Sequence, residues 1–140
     1  MVKLLEGKPI AERIKEEIKI QVQNFKDKPV LASVIVGEDP GALAYVKSQA
    51  KTAENLGIVY QLHKLSWDAS EGTLIDFIRK LNSDKTVKGI IIQMPLPEQI
   101  DYKKISQFIL PEKDVEGMHP ANIGKIVFGK ANILPCTPAA

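Results

Sequence analysis

Hydrophobic and polar positions along the chain switch repeatedly between two periods. From Ile10 to Phe25 the apolar residues Ala11, Ile14, Ile18, Val22 and Phe25 step by three and four with charges between them, which predicts an amphipathic helix. Val30 to Val36 is instead a short, nearly unbroken apolar run rich in β-branched residues, the pattern of a strand buried on both faces of a parallel sheet. Gly37-Glu38-Asp39-Pro40-Gly41 ends that strand and opens a second helix. Asp39 suits the N-cap, and Pro40 falls at the first helical position, where a missing N–H costs nothing. This helix is expected to run to about Leu56 and stop at Gly57. Ile58 to Leu65 reads as a second strand. Ser70 then caps a third helix whose buried stripe is Leu74, Ile75, Phe77, Ile78 and Leu81. Val87 to Gln93 is a third strand, broken by Met94-Pro95-Leu96-Pro97. A shorter helix is predicted over Asp101 to Phe108. From Leu110 to Ala140 glycine and proline become dense, and the segment reads as a functional loop followed by a linker.

Strands alternating with helices of this length imply right-handed βαβ units. The fold class expected is α/β, a three-layer α/β sandwich with a mostly parallel sheet. In such sheets ligands gather beyond the carboxyl ends of the strands, and the segments leaving those ends are Gly37–Gly41, Trp67–Ser70 and Gln93–Pro97. The first and third are expected to carry the chemistry.

Composition narrows the function. The chain has 140 residues, enough for one domain with a sizeable core. Seventeen of its 19 cations are lysines, interspersed with 17 acids for a net charge of +2, so no basic face is set aside for a phosphate backbone and no nucleic-acid partner is expected. A single cysteine, Cys136, precludes an intrachain disulfide and suits a reducing compartment. No stretch resembles a signal peptide or is long enough to span a bilayer, so a cytoplasmic protein without a membrane partner is expected. His63 and His119 stand far apart and Cys136 has no C-x-x-C partner, which argues against a metal. No glycine-rich phosphate loop follows any strand.

Four segments carry candidate chemistry. Tyr45 and Gln49 lie one helical turn apart and share a face; they read either as a cleft-facing pair or as a core aromatic with a boundary amide. Gln93 ends an apolar strand and is followed by two prolines, either an orienting group or a strand-end amide satisfying a loop carbonyl. Pro111-Glu112-Lys113-Asp114-Val115-Glu116-Gly117-Met118-His119-Pro120 is a charged loop, functional or merely solvated. Asn122 and Gly124 follow it at turn-like spacing.

Taken in order, these segments resemble the bifunctional methylenetetrahydrofolate dehydrogenase/methenyltetrahydrofolate cyclohydrolase family. The matching stretches are Val36-Gly37 through Pro40, Tyr45-Val46 through Gly57-Ile58, Gly89 through Pro97, Pro111 through Gly117 with His119-Pro120 and Asn122-x-Gly124, and Pro135-Cys136-Thr137-Pro138. The resemblance covers essentially the whole chain. It implies a folate-binding catalytic domain over residues 1–134. Residues 135–140 then begin a hinge to a second, Rossmann-type domain that holds NADP and lies outside this chain. It also implies tetrahydrofolate derivatives as substrates, a homodimer for the whole protein, and a place in one-carbon metabolism and purine biosynthesis. On this reading the fragment alone lacks dehydrogenase activity.

Carried over by residue, the resemblance makes Tyr45 the ring that packs on the folate and Gln93 the amide that positions catalytic groups. Pro95, Leu96 and Pro97 line the pterin pocket, and Asp114 is the first acid of the substrate loop. Three positions depart from the family pattern. Gln49 stands where the family carries its catalytic lysine, Ala42 where it has a serine, and Glu116 where it has a second aspartate. The catalytic set is therefore Tyr45, Gln49, Gln93 and Glu116. The expected activity is NADP-dependent oxidation of 5,10-methylenetetrahydrofolate, with hydrolysis to 10-formyltetrahydrofolate in doubt. The alternative is a non-catalytic folate-binding paralogue with a regulatory or assembly role.

Overall fold

Three parallel strands form one sheet in the order β2–β1–β3, with β1 at Val30–Val36, β2 at Val59–Leu65 and β3 at Val87–Ile92. The computed structural model describes residues 6–139. As the central strand, β1 pairs with β2 from Val30↔Val59 to Val36↔Leu65 and with β3 through Leu31↔Gly89 to Val34↔Ile92. Its nearly unbroken apolar run follows from this position, because both of its faces are covered.

Alternation along β1 divides the layers. Val30, Ala32, Val34 and Val36 join the main core with Leu74, Ile78 and Leu81 of α3 (Glu71–Ser83) and with Ile105 of α4 (Tyr102–Ile105). Leu31, Ser33 and Ile35 point to the opposite face, toward α2 (Pro40–Leu56), whose buried residues are Ala42, Val46 and Ala53. Outermost lies α1 (Gly7–Gln23), against α2. The expected three-layer α/β sandwich is thus present, and all three strands of its sheet are parallel.

Local signals act as read. The Asp39 carboxylate accepts the Ala42 N–H at 2.8 Å, Pro40 opens α2, and Gly57 ends it in the left-handed region at φ 82°. Ser70 caps α3 through the Thr73 N–H. The apolar stripe of α1 is helical as expected, and it buries no residue: Ile14 and Phe25 are 45% and 52% exposed, and only Ile18 and Val22 are half-covered on that stripe. One expectation is corrected. The segment after Leu110 is not loop and linker alone, since it holds α5 (Pro120–Val127) and the short α6 (Cys136–Ala139). His119 caps α5 by accepting the Ala121 N–H on Nδ1 at 3.0 Å, with Pro120 at the first helical position, so Asn122 and Gly124 are helical rather than turn residues.

The charged loop before α5 is a clamp. Lys113 Nζ donates to the carbonyls of Leu81, Asn82 and Asp84 at 2.7–2.9 Å, where the end of α3 leaves its last carbonyls unpaired. Asp114 forms a parallel bridge with Ile90 of β3, and its Oδ2 accepts from the His119 N–H at 2.7 Å and the Asn122 side chain at 2.9 Å. Val115 then lies so close over β3 that a Cβ on Gly89 would sit 2.4 Å from its Cγ1, which explains the glycine inside that strand. Among the described residues no helix is long and apolar enough to cross a membrane.

Candidate functional site

On the α2 side of the sheet, four polar side chains from four elements converge. Gln93, the residue just after β3, is 4% exposed and donates from Nε2 to Ser33 Oγ on β1 at 2.9 Å and to Gln49 Oε1 on α2 at 2.8 Å. The Tyr60 hydroxyl, from β2, donates to the same Gln49 oxygen at 2.9 Å. Gln49 Oε1 therefore accepts two hydrogen bonds, and its Nε2 has no partner among the described residues. Among the described residues the one buried side-chain polar atom without a partner is His63 Nε2, so Gln49 Nε2 remains open to solvent.

One turn earlier on α2, Tyr45 is 61% exposed. It is not a core aromatic. With Gln49, Leu31, Thr52, Leu56 and Ile58 it borders an open groove of about 350 Å³. The pair predicted from helical spacing thus lines one depression, with an aromatic face beside an amide donor. The location differs from the expectation. The cluster stands over Ser33 in the middle of β1, on the face of the sheet. Only Gln93 comes from a strand end, and Gly37–Gly41 contributes the start of α2 rather than a side chain to the cluster.

Ser33 and Tyr60 were absent from the candidate set. Ser33 had a usable signal, being the one hydroxyl in a strand buried on both faces, where a polar group needs a partner. Tyr60 had none, because its approach to Gln49 depends on the register that sets it beside Leu31. Burial pushes the Tyr60 phenol above its ordinary range, and the neighbouring Ser33 and Gln93 side chains only partly offset it. The hydroxyl therefore stays protonated and acts as a donor.

The acidic residues form a second group beside β3. Burial first, and the Asp114 charge second, push the Glu116 carboxyl above the usual carboxylate range. Tyr102 is pushed up to about 12, by burial and then by the charges of Glu116 and Asp114. Asp114 itself is 3% exposed with Oδ2 doubly occupied, so it fixes the loop. No hydrogen bond among the described residues joins this group to the amide cluster. In the Pro95-Leu96-Pro97 segment, which follows a cis Met94–Pro95 bond, Pro97 is fully buried and Leu96 packs on the main core. Pro95 stays exposed.

The turns between strands and helices do not fit a dinucleotide. A pyrophosphate binds on free N–H groups at a helix N-terminus reached by a glycine-rich turn. Here the side chains of Asp39, Ser70 and Asp101 already cap α2, α3 and α4, and two of those three caps are carboxylates that would repel phosphate.

Residues 5–116 match the family described as tetrahydrofolate dehydrogenase/cyclohydrolase, catalytic domain. The chain belongs to that family. It is 46% identical to bifunctional protein FolD of Geotalea uraniireducens, over 99% of this chain and 50% of that protein. It is 45% identical to bifunctional protein FolD of Chlamydia felis, over 98% and 48%. The fold superposes on the crystal structure of the bifunctional FolD dehydrogenase/cyclohydrolase of Campylobacter jejuni with a TM-score of 0.94 at 39% identity, covering 98% of this chain and 50% of that one. The Trypanosoma brucei dehydrogenase-cyclohydrolase, solved with NADP cofactor and an inhibitor, gives a TM-score of 0.88 at 27% identity, covering 99% and 49%. The chain thus spans about half the length of the relatives it matches. Within the dehydrogenase/cyclohydrolase family, the amide-and-phenol cluster described above is what this chain sets at the position where the resemblance expects a lysine.

Proposed function

We propose that this chain binds one-carbon derivatives of tetrahydrofolate, and that the protein to which it belongs oxidises 5,10-methylenetetrahydrofolate to 5,10-methenyltetrahydrofolate with NADP. We assign residues 1–134 to the folate-binding catalytic domain and residues 135–140 to the start of a hinge. NADP is assigned to a second domain outside the chain, and the cytoplasm and a homodimer complete the reading. The observation that carries it is the arrangement of Tyr45, Gln49 and Gln93: an exposed ring beside a groove that Gln49 also lines, with the Gln49 oxygen held by Gln93 and Tyr60. A flat heteroaromatic ring stacks on such a face for about 0.5–1.5 kcal/mol beyond its burial, and the amide donor suits a carbonyl or ring nitrogen on that ligand.

The same arrangement favours oxidation over hydrolysis. Removing the methylene hydrogen asks this domain chiefly to orient the substrate. Hydrolysis asks for more: water adds to the methenyl carbon and gives up both protons as its oxygen becomes the formyl C=O, the bond from that carbon to N5 breaks, N5 takes one of the protons, and the other is released. A lysine in a partly apolar cleft can exchange protons near neutral pH, and an amide cannot. Lys47 and Lys51 are no substitutes, since each lies two residues away, about 200° around the helix, and both are exposed. Tyr60 holds its proton. A positioned acid–base group contributes about 10²–10⁴-fold, and hydrolysis should fall short of that of a lysine-bearing family member by a factor in this range.

Separate assays of the two reactions on the whole protein test the proposal. Dehydrogenase activity with weak or absent cyclohydrolase is expected. Cyclohydrolase equal to that of a lysine-bearing relative would overturn the account of Gln49, and folate binding with neither activity would identify a non-catalytic paralogue.

A further inference from the structure

We propose that Tyr60 is a positioning residue that locks the Gln49 amide with its carbonyl inward and its N–H2 toward the groove, fixing what this site recognises as a hydrogen-bond acceptor on the folate. The inference rests on the folate reading above for the identity of the ligand, although the lock itself is a property of the free protein.

A glutamine side chain on a helix has several rotamers, and its two terminal atoms differ only in whether they donate or accept. Two donors settle the choice here. Gln93 is itself anchored on Ser33, and its Nε2 meets Gln49 at 2.8 Å. The Tyr60 hydroxyl meets the same oxygen at 2.9 Å from the far side of β1, on the neighbouring strand. With one donor the amide could still turn about its last torsion. Two donors on one oxygen hold it, and reversing the amide would set N–H2 against the N–H2 of Gln93. With both contacts made, Gln49 Oε1 already accepts two hydrogen bonds, which leaves the N–H2 edge for a ligand. An ammonium in this position would present donors in every direction; the locked amide presents a single oriented donor pair.

Side-chain amide relaxation measured by NMR, together with binding of 5,10-methenyltetrahydrofolate, tests this on the 140-residue chain. In the ligand-free protein the Gln49 N–H2 group should be as ordered as the backbone, whereas that of Gln23, exposed on α1, should be mobile. Tyr60→Phe keeps the ring and should release Gln49 toward the mobility of Gln23. Loss of one such hydrogen bond should weaken folate binding by about 2–10-fold, and the loss should vanish when Tyr60→Phe is introduced into Gln49→Ala. A merely structural role for Tyr60 would cost the same in both backgrounds. Gln49 mobile in the wild type, or equally ordered in Tyr60→Phe, overturns the lock whatever the ligand does. If the wild type is ordered at Gln49 and releases it in Tyr60→Phe but binds no folate, the lock stands and the folate reading falls.

Discussion

Replacing Gln49 by lysine in the whole protein should raise cyclohydrolase activity while changing the dehydrogenase far less. The structure sets both the direction and the size. A lysine carries its nitrogen one bond beyond the terminal atoms of glutamine, about 1.5 Å farther from the helix. Gln49 Oε1 already lies 2.9 Å and 2.8 Å from the Tyr60 hydroxyl and Gln93 Nε2, so an ammonium has no room between them and must turn toward the groove, where a folate would lie. There it can take and give a proton. The Tyr60 oxygen can accept from it, which steadies the charged form and makes the lysine a poorer base. The gain should therefore fall at the lower end of the range for a positioned acid–base group, about 10²-fold. Cyclohydrolase is read from the decay of the methenyl chromophore without nucleotide, corrected for the spontaneous reaction, and dehydrogenase from its formation with NADP. A wild type that already hydrolyses as fast as the variant, or a dehydrogenase that falls in proportion, would refute the reasoning.

Three further outcomes are expected. Tyr45→Ala should weaken folate binding by about 2–12-fold, the equivalent of 0.5–1.5 kcal/mol of stacking, while Tyr45→Phe stays near wild type. Neither should move the urea midpoint by much, because the ring is exposed; equal losses in both variants would assign the role to the hydroxyl. Gln93→Leu removes two hydrogen bonds and leaves the fully buried Ser33 hydroxyl without its partner. It should cost about 2–4 kcal/mol in urea unfolding, and a loss below about 0.5 kcal/mol, the scale of an ordinary surface change, would contradict the network. Glu116 has a folded-state carboxyl raised by burial and by Asp114, so the folded state favours its protonated form; the stability this gives is present at low pH and is lost as pH rises through the raised value. Glu116→Gln should accordingly unfold at higher urea than wild type at neutral pH, with the gap closing as pH falls through the carboxylate range. A gap that widens toward acid would show that the charged form is the one the fold prefers.

The parts of this fold written in local pattern were legible, and those written in register were not. β1 announced itself because burial on both faces demands an apolar run, and α2 because Asp39-Pro40 and Gly57 mark both ends. Tyr45, Gln49 and Gln93 were singled out as candidates for similar reasons, by helical spacing and by a polar residue closing an apolar strand. α5 was passed over although His119-Pro120 repeats the cap-then-proline form of Asp39-Pro40. Histidine is a rare cap, and Gly124 inside the segment argued for a turn. The structural roles of Lys113 and Asp114 were not legible in a charged loop that read as either functional or solvated, because their partners, the α3 carbonyls and β3, lie far away in sequence. The α1 stripe was read correctly as an amphipathic helix, but periodicity records which side is apolar and not whether anything covers it.

The two unpredicted members of the cluster change what the departure at Gln49 means. Taken alone, an amide at a lysine position is a loss. With Tyr60 and Ser33 in place it is one of four side chains whose donors and acceptors match: Ser33 accepts from Gln93, Gln93 donates again to Gln49, Tyr60 donates to the same oxygen, and one N–H2 is left over. The amides and the serine do not titrate, and burial keeps the Tyr60 phenol protonated. The pattern offered to a ligand is then the same across the neutral range, which serves a step that needs orientation and gives nothing to one that needs a proton moved. On the function proposed above, oxidation of the methylene carbon is of the first kind and hydrolysis of the methenyl carbon of the second, so the proposed substitution and the residues that accommodate it would bear on a single half of that chemistry.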